Sequence, residues 1–147
     1  IMFMFQKIHS TLKSHKIFIL FTWCTRLLLA LAFIPSGLKK ILGLRFTSIG
    51  IDNPVGFFFE ALFRTGIYWN FLGLMQLLAA VLLLIPRTSF LGAVLFFPIV
   101  LNILIIVIAM NFEGTPVIVG LMLIANIYLL IWDYTKTKNL LRILIAP

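Results

Sequence analysis

Four polar side chains interrupt long apolar runs in this sequence: Arg26, Gln76, Asn102 and Asn126. Their chemistry is recognition rather than bond-making. A guanidinium carries five N–H donors, no acceptor and a charge it does not shed, while each amide adds one carbonyl acceptor. Inside a bilayer an arginine costs about 2.5–3.5 kcal/mol on insertion scales, so Arg26 calls for acceptors. Three amide carbonyls cannot satisfy five donors, and the shortfall must be met by backbone carbonyls, water or a bound polar ligand. The plainer readings are snorkelling of Arg26 toward a headgroup and amide hydrogen bonds between helices, worth about 0.6 kcal/mol each on average. Other chemistry is thin. His9 and His15 are six apart with no Cys, Asp or Glu at metal-binding spacing. Neither lies in a candidate span, so a haem held by two helix-borne histidines has no ligands. There is no glycine-rich phosphate loop, C-x-x-C pair or nucleophile elbow.

The elements that would position these groups follow from composition. Of 147 residues, 63% are hydrophobic and 11% charged, with a mean hydropathy of +1.17. A soluble domain of this size buries only about 68–70% of its unfolded surface and could not hide so much apolar area. That excludes an ordinary soluble enzyme and a disordered tail. A single cysteine, Cys24, excludes a disulfide scaffold. The net charge of +8 comes from cations that flank apolar runs, so they are expected to meet lipid headgroups rather than nucleic acid.

Four stretches approach the ~20 apolar residues that a span needs: 17–34, 67–85, 90–110 and 116–132. None alternates in polarity as a barrel strand would. The first is expected to halt at Pro35-Ser36-Gly37. The start also resembles a secretory signal, with Lys7, Lys13 and Lys16 before an apolar stretch and Ala30-Leu31-Ala32 as a cleavage-like site. Arg26 interrupts that apolar stretch, and retention as a span is expected. The short links after the second and third spans require antiparallel neighbours. The fold class is an all-α membrane protein: a four-helix transmembrane bundle over 17–132, flanked by an amphipathic segment at 1–16 and a basic tail at 133–147.

With both termini inside, the inner side holds Lys7, Lys13, Lys16, Arg87, Lys136, Lys138 and Arg142, and the outer side Lys39, Lys40, Arg45 and Arg64. Seven cations against four favour cytoplasmic termini. In the first segment Met2, Phe3, Met4, Phe5, Ile8 and Leu12 are mixed with Lys7, Lys13 and Lys16, which suits an interfacial helix. The 38–66 connection contains Phe57 to Arg64, too apolar for a solvated loop, and is read as a short interfacial or re-entrant helix. Within it Glu60 and Arg64 can pair across one turn. Trp69, Tyr68, Tyr128, Trp132 and Tyr134 sit near span ends, as an aromatic belt would.

The four polar residues lie near the centres of these spans, at about 25.5, 76, 100 and 124, each within roughly 3 Å of mid-depth. They are therefore expected to meet in the interior. Asn70, Gly73, Gln76 and Ala80 share one helix face. Asn102, Ile106, Ala109 and Glu113 share another and lead to an acid at the outer rim. Asn126 and Asp133, seven apart, lead to an acid at the inner rim. Together these sketch a polar track across the bundle.

The series from Arg26 through Phe33 and Gly37 to Lys40 resembles the opening of DoxX-like membrane proteins. In a continuous helix Arg26, Ala30, Phe33, Gly37 and Lys40 would share one face. A long first connection, Gly73-Leu74-Met75-Gln76-Leu77-Leu78 and a Pro-bounded hairpin continue the likeness over about residues 20–135. The resemblance implies a four-helix inner-membrane protein associated with quinone-linked sulfur oxidation or membrane oxidoreductase complexes, with other membrane subunits as partners. Two departures stand out. Gln76 replaces an acid that members often carry, and Trp132-Asp133-Tyr134-Thr135-Lys136 replaces a glycine-rich ending. Three functions remain open: an accessory subunit contributing part of a quinone pocket, a stand-alone carrier or channel for a small solute, and a purely structural or assembly subunit. A stand-alone enzyme would need a nucleophile, metal or cofactor ligand set, which the sequence does not display.

Overall fold

The structure, a computed structural model, describes residues 2–146, without the side chains of Met2, Phe3 and Phe5. The expectations that placed Ile1 and those three side chains in an amphipathic segment lie outside the described residues, as does Pro147 at the end of the basic tail. Among the described residues all regular structure is helical: α1 (Met2–Ser14), α2 (Lys16–Ile41), α3 (Pro54–Arg64), α4 (Ile67–Leu84), α5 (Ser89–Ala109), α6 (Thr115–Trp132) and α7 (Tyr134–Ile145). By length and apolarity α2, α4, α5 and α6 can each cross a membrane, the make-up of a multi-pass membrane protein.

The first span is longer than expected. Pro35 does not stop α2, which runs for 26 residues. Proline removes one backbone donor, and helices in apolar surroundings tolerate this where neighbouring groups re-satisfy the backbone. The stop lies at Gly43, whose φ of +66° is available to glycine without a Cβ clash. There the N–H groups of Gly43 and Leu44 turn back onto the carbonyls of Lys40 and Lys39 at 3.1 and 2.8 Å. Thr22 and Thr25 donate to the carbonyls four residues earlier, at 2.8 Å each, so neither hydroxyl is left unpaired.

The bundle runs α2–α4–α5–α6 and closes from α6 back to α2. Small residues let the backbones touch, the usual basis of helix contact where lipid removes the hydrophobic driving force. A Cβ on Gly73 would lie 2.6 Å from the carbonyl oxygen of Gly37 and from the Lys40 Cβ. Gly92 meets the Leu83 backbone of α4 in the same way. The core between these crossings is Leu29, Ala30, Phe33, Ala79, Ala80, Leu83, Ala93, Phe96 and Val100. At its centre Phe33 stacks on Phe96 with ring centroids 3.8 Å apart.

The antiparallel order puts α1, α7 and the link between α4 and α5 at one end of the bundle, and α3 at the other. His9 Nε2 lies 3.2 and 3.0 Å from the carbonyl oxygens of Ile131 and Trp132, fastening α1 to the carbonyl-rich end of α6. The basic tail is the helix α7, which buries no residue.

Candidate functional site

The face of α2 expected from helical phase is the buried one: Arg26, Ala30, Phe33, Gly37 and Lys40 all point inward. The four mid-depth polar residues nonetheless do not form one cluster. Arg26 folds back toward the N-terminal end of α2, as helical side chains do. Its Nη2 lies 3.6 Å from Asp133 Oδ2, and the guanidinium sits 4.8 Å from the Trp23 ring centroid. A carboxylate at the end of α6 has displaced the expected amides, because opposite charge outweighs a neutral carbonyl. Asn126 is fully buried and donates to the Ala93 carbonyl on α5 at 3.0 Å, an interhelix tie. Asn102 faces outward enough to be exposed, yet lines a cavity. Ala109 and Glu113 are exposed, so the expected track leaves the interior, and no continuous polar track crosses the bundle among the described residues.

Gln76 pairs with a residue expected at the outer rim. Lys40, counted among the flanking cations, is buried, and its Nζ donates to Gln76 Oε1 at 3.0 Å and to Ser36 Oγ at 2.5 Å. Ser36 Oγ lies 3.3 Å from the same Gln76 oxygen. The ammonium also sits 4.9 and 5.2 Å from the ring centroids of Phe46 and Trp69. No Asp or Glu side chain among the described residues is paired with it. A cation held by neutral acceptors and aromatic faces keeps its charge available to a further acceptor.

Ser36, Lys39, Lys40, Gln76, Asn102 and Thr115 bring polar groups to a cavity of about 410 Å³, walled otherwise by apolar side chains of α2 to α6 and their links. That volume is within the range of small-molecule sites, which pair apolar walls with a few convergent polar groups. Trp69 belongs to this site rather than to an aromatic belt. It is 1% exposed and donates its indole N–H to the Leu44 carbonyl at 3.1 Å. The signal that could have found the triad is the spacing of Ser36 and Lys40 on one helical turn, once Pro35 is allowed inside the helix.

Helix α3 supplies part of the cavity wall. Asn53 caps it by accepting from the Val55 N–H at 2.9 Å, and Pro54 occupies the first turn where no donor is missed. Its Phe58, Phe59 and Leu62 line the cavity. Phe59 stacks on Phe46 and meets Phe112 edge-on. The expected Glu60–Arg64 pair forms at 2.9 Å, and Arg45 adds bonds of 2.8 and 3.2 Å to the same carboxylate. These bonds, that from Arg45 first, hold the Glu60 carboxyl at about 2, below its ordinary 4.5, and raise Arg45. A depressed carboxyl stabilises the fold above its ordinary value and loses that contribution as pH falls toward the depressed one. The 43–53 loop is therefore expected to exchange amide hydrogens at a constant intrinsic-corrected rate from neutrality to about pH 4.5, and faster as pH falls toward about 2. Glu60→Gln should show the faster rate already at neutral pH.

Among the described residues no group of three or more His, Cys, Asp or Glu side chains could hold a metal ion. No protein-family profile matches the chain, and no solved structure matches it significantly. Over 87 residues the chain is 41% identical to an uncharacterized protein, YwoB, of Bacillus subtilis (strain 168). The match covers 55% of this chain and 56% of that relative, so the chain spans about half the length of the curated protein it matches.

Proposed function

We propose that this chain is a small membrane subunit that holds a lipid-soluble molecule of the quinone class in the α2–α4–α5–α6 cavity, as an accessory component of a quinone-linked oxidoreductase complex. The observation that carries the reading is the buried ammonium of Lys40, donating only to neutral oxygens at the wall of a predominantly apolar cavity. A quinone matches that contrast, with carbonyl acceptors on an apolar ring and tail. The resemblance of the Arg26–Lys40 segment to DoxX-like proteins supports the same reading. The bilayer is a bacterial-type inner membrane, with both termini cytoplasmic and α3 lying at the outer interface. The large apolar surface of the spans, including Leu28, Leu74, Ile105 and Ile124, is available to lipid and to partner helices alike.

Gentle detergent purification followed by mass spectrometry tests both halves. The expected result is a lipid-soluble quinone in the organic extract, near one per chain, together with co-purifying subunits of a membrane redox complex. A quinone-free extract with a chain that migrates alone would overturn the proposal.

A further inference from the structure

A second cavity, independent of the first, lies at the opposite end of the bundle. It measures about 230 Å³ and is lined by Lys13, Ile19, Thr22, Trp23, Arg26 and Trp132. Two cations converge on it with a single carboxylate between them. Asp133 stands 3.5 Å from Lys13 Nζ and 3.6 Å from Arg26 Nη2. Both separations exceed the roughly 2.7–2.9 Å of a tight charge-assisted bond. The Arg26 side chain is 9% exposed, and its buried Nε has no hydrogen-bond partner among the described residues. One carboxylate cannot neutralise two cations or occupy five guanidinium donors.

We propose that this cleft binds an anionic phosphate-ester head group, with Arg26 and Lys13 as its donors. A phosphate oxygen set suits a guanidinium fork beside an ammonium, and its charge balances the surplus cation. Trp23 and Trp132 wall the cleft and stack their faces near Arg26 and Lys13, at 4.8 and 5.6 Å to the ring centroids. His9 keeps Lys13 in place by fixing α1 on the end of α6. The cleft sits where the spans end, and its own Ile19 is an exposed apolar side chain. A membrane phospholipid can reach it with its acyl chains still in the bilayer.

The test uses the full chain carrying Trp69→Phe, so that emission comes from Trp23 and Trp132 alone. In bilayers of phosphatidylcholine containing brominated phosphatidylglycerol, quenching should show a preference of about five-fold over brominated phosphatidylcholine, as one basic contact at the surface gives. Arg26→Gln should bring the preference near one, and Asp133→Asn, which frees both cations, should raise it. Asp133 makes no side-chain cap on α7, so that change leaves the helix start intact. Lys13→Gln, at a partly exposed side chain, lowers the preference without disturbing the core and decides the matter if Arg26→Gln does not fold. Millimolar inorganic phosphate that shifts the emission in detergent, with the same dependence on Arg26 and Lys13 and no lipid preference, assigns the site to a free phosphate. Equal quenching by the two lipids with no response to phosphate overturns the proposal, as does a preference that survives both Arg26→Gln and Lys13→Gln.

Discussion

Gly73→Val is expected to abolish the folded bundle. The added side chain would have to enter a space where even a Cβ lies 2.6 Å from the Gly37 carbonyl oxygen and 2.9 Å from the Ile41 backbone nitrogen. Both are main-chain atoms of α2, so no rotamer change relieves the contact, and α2 must part from α4. Overpacking costs about 1–3 kcal/mol in well-packed cores and more where backbone must move. The crossing also sets Lys40 opposite Gln76, so the triad would separate along with the helices. Gly120→Ala is the matched control, since nothing lies within 4 Å of its would-be Cβ. That change should leave the fold intact or stabilise it slightly by helix propensity. Size-exclusion elution and thermal melting in detergent distinguish the two variants.

Lys40→Met is the second substitution with a large expected effect, and its two consequences have opposite signs. Removing a buried charge that has no carboxylate partner should leave the melting temperature unchanged or raise it, as apolar replacements of buried ions often do. Binding of a short-chain quinone should weaken. A charge-assisted hydrogen bond is worth about 1.5–3 kcal/mol, which corresponds to roughly 10–100-fold in affinity. Trp69 lines the cavity, so quenching of its emission in a Trp23→Phe, Trp132→Phe background reads the affinity directly. A loss of folding would instead make Lys40 structural cement between α2 and α4. Gln76→Leu, which keeps the ammonium but removes one of its acceptors, should weaken binding less than Lys40→Met.

Apolar run length located α4, α5 and α6 to within a residue or two at each end, because tight links at Pro86 and Gly114 leave little freedom. The face of α2 was equally legible, since Arg26, Ala30, Phe33, Gly37 and Lys40 repeat at helical spacing. What the pattern missed follows from one residue. Reading Pro35 as a stop centres the first span near 25.5, whereas the 26-residue helix is centred at 28.5. With that centre, depth matching places Arg26 among the amides and Lys40 at the rim. Side-chain direction compounded the error: long helical side chains lean toward the N-terminus. Lys40 therefore reaches inward to Gln76, and Arg26 reaches outward to Asp133. Neither depth nor spacing reveals that α3 lines a cavity, which depends on how Phe59 meets Phe46 and Phe112 across 38–66 and the end of α5.

On the proposed function, the cavity beside Lys40, rather than the lipid-facing surface, holds a quinone-class molecule. Photolabelling of the membrane-embedded chain with an azido quinone, followed by peptide mapping, tests it most directly. Labels are expected on cavity residues such as Phe58, Met75 and Ile103, suppressed by excess unlabelled quinone and reduced in Lys40→Met. Labels confined to outward-facing residues such as Leu121 and Ile124, unaffected by competitor and by Lys40→Met, would contradict it.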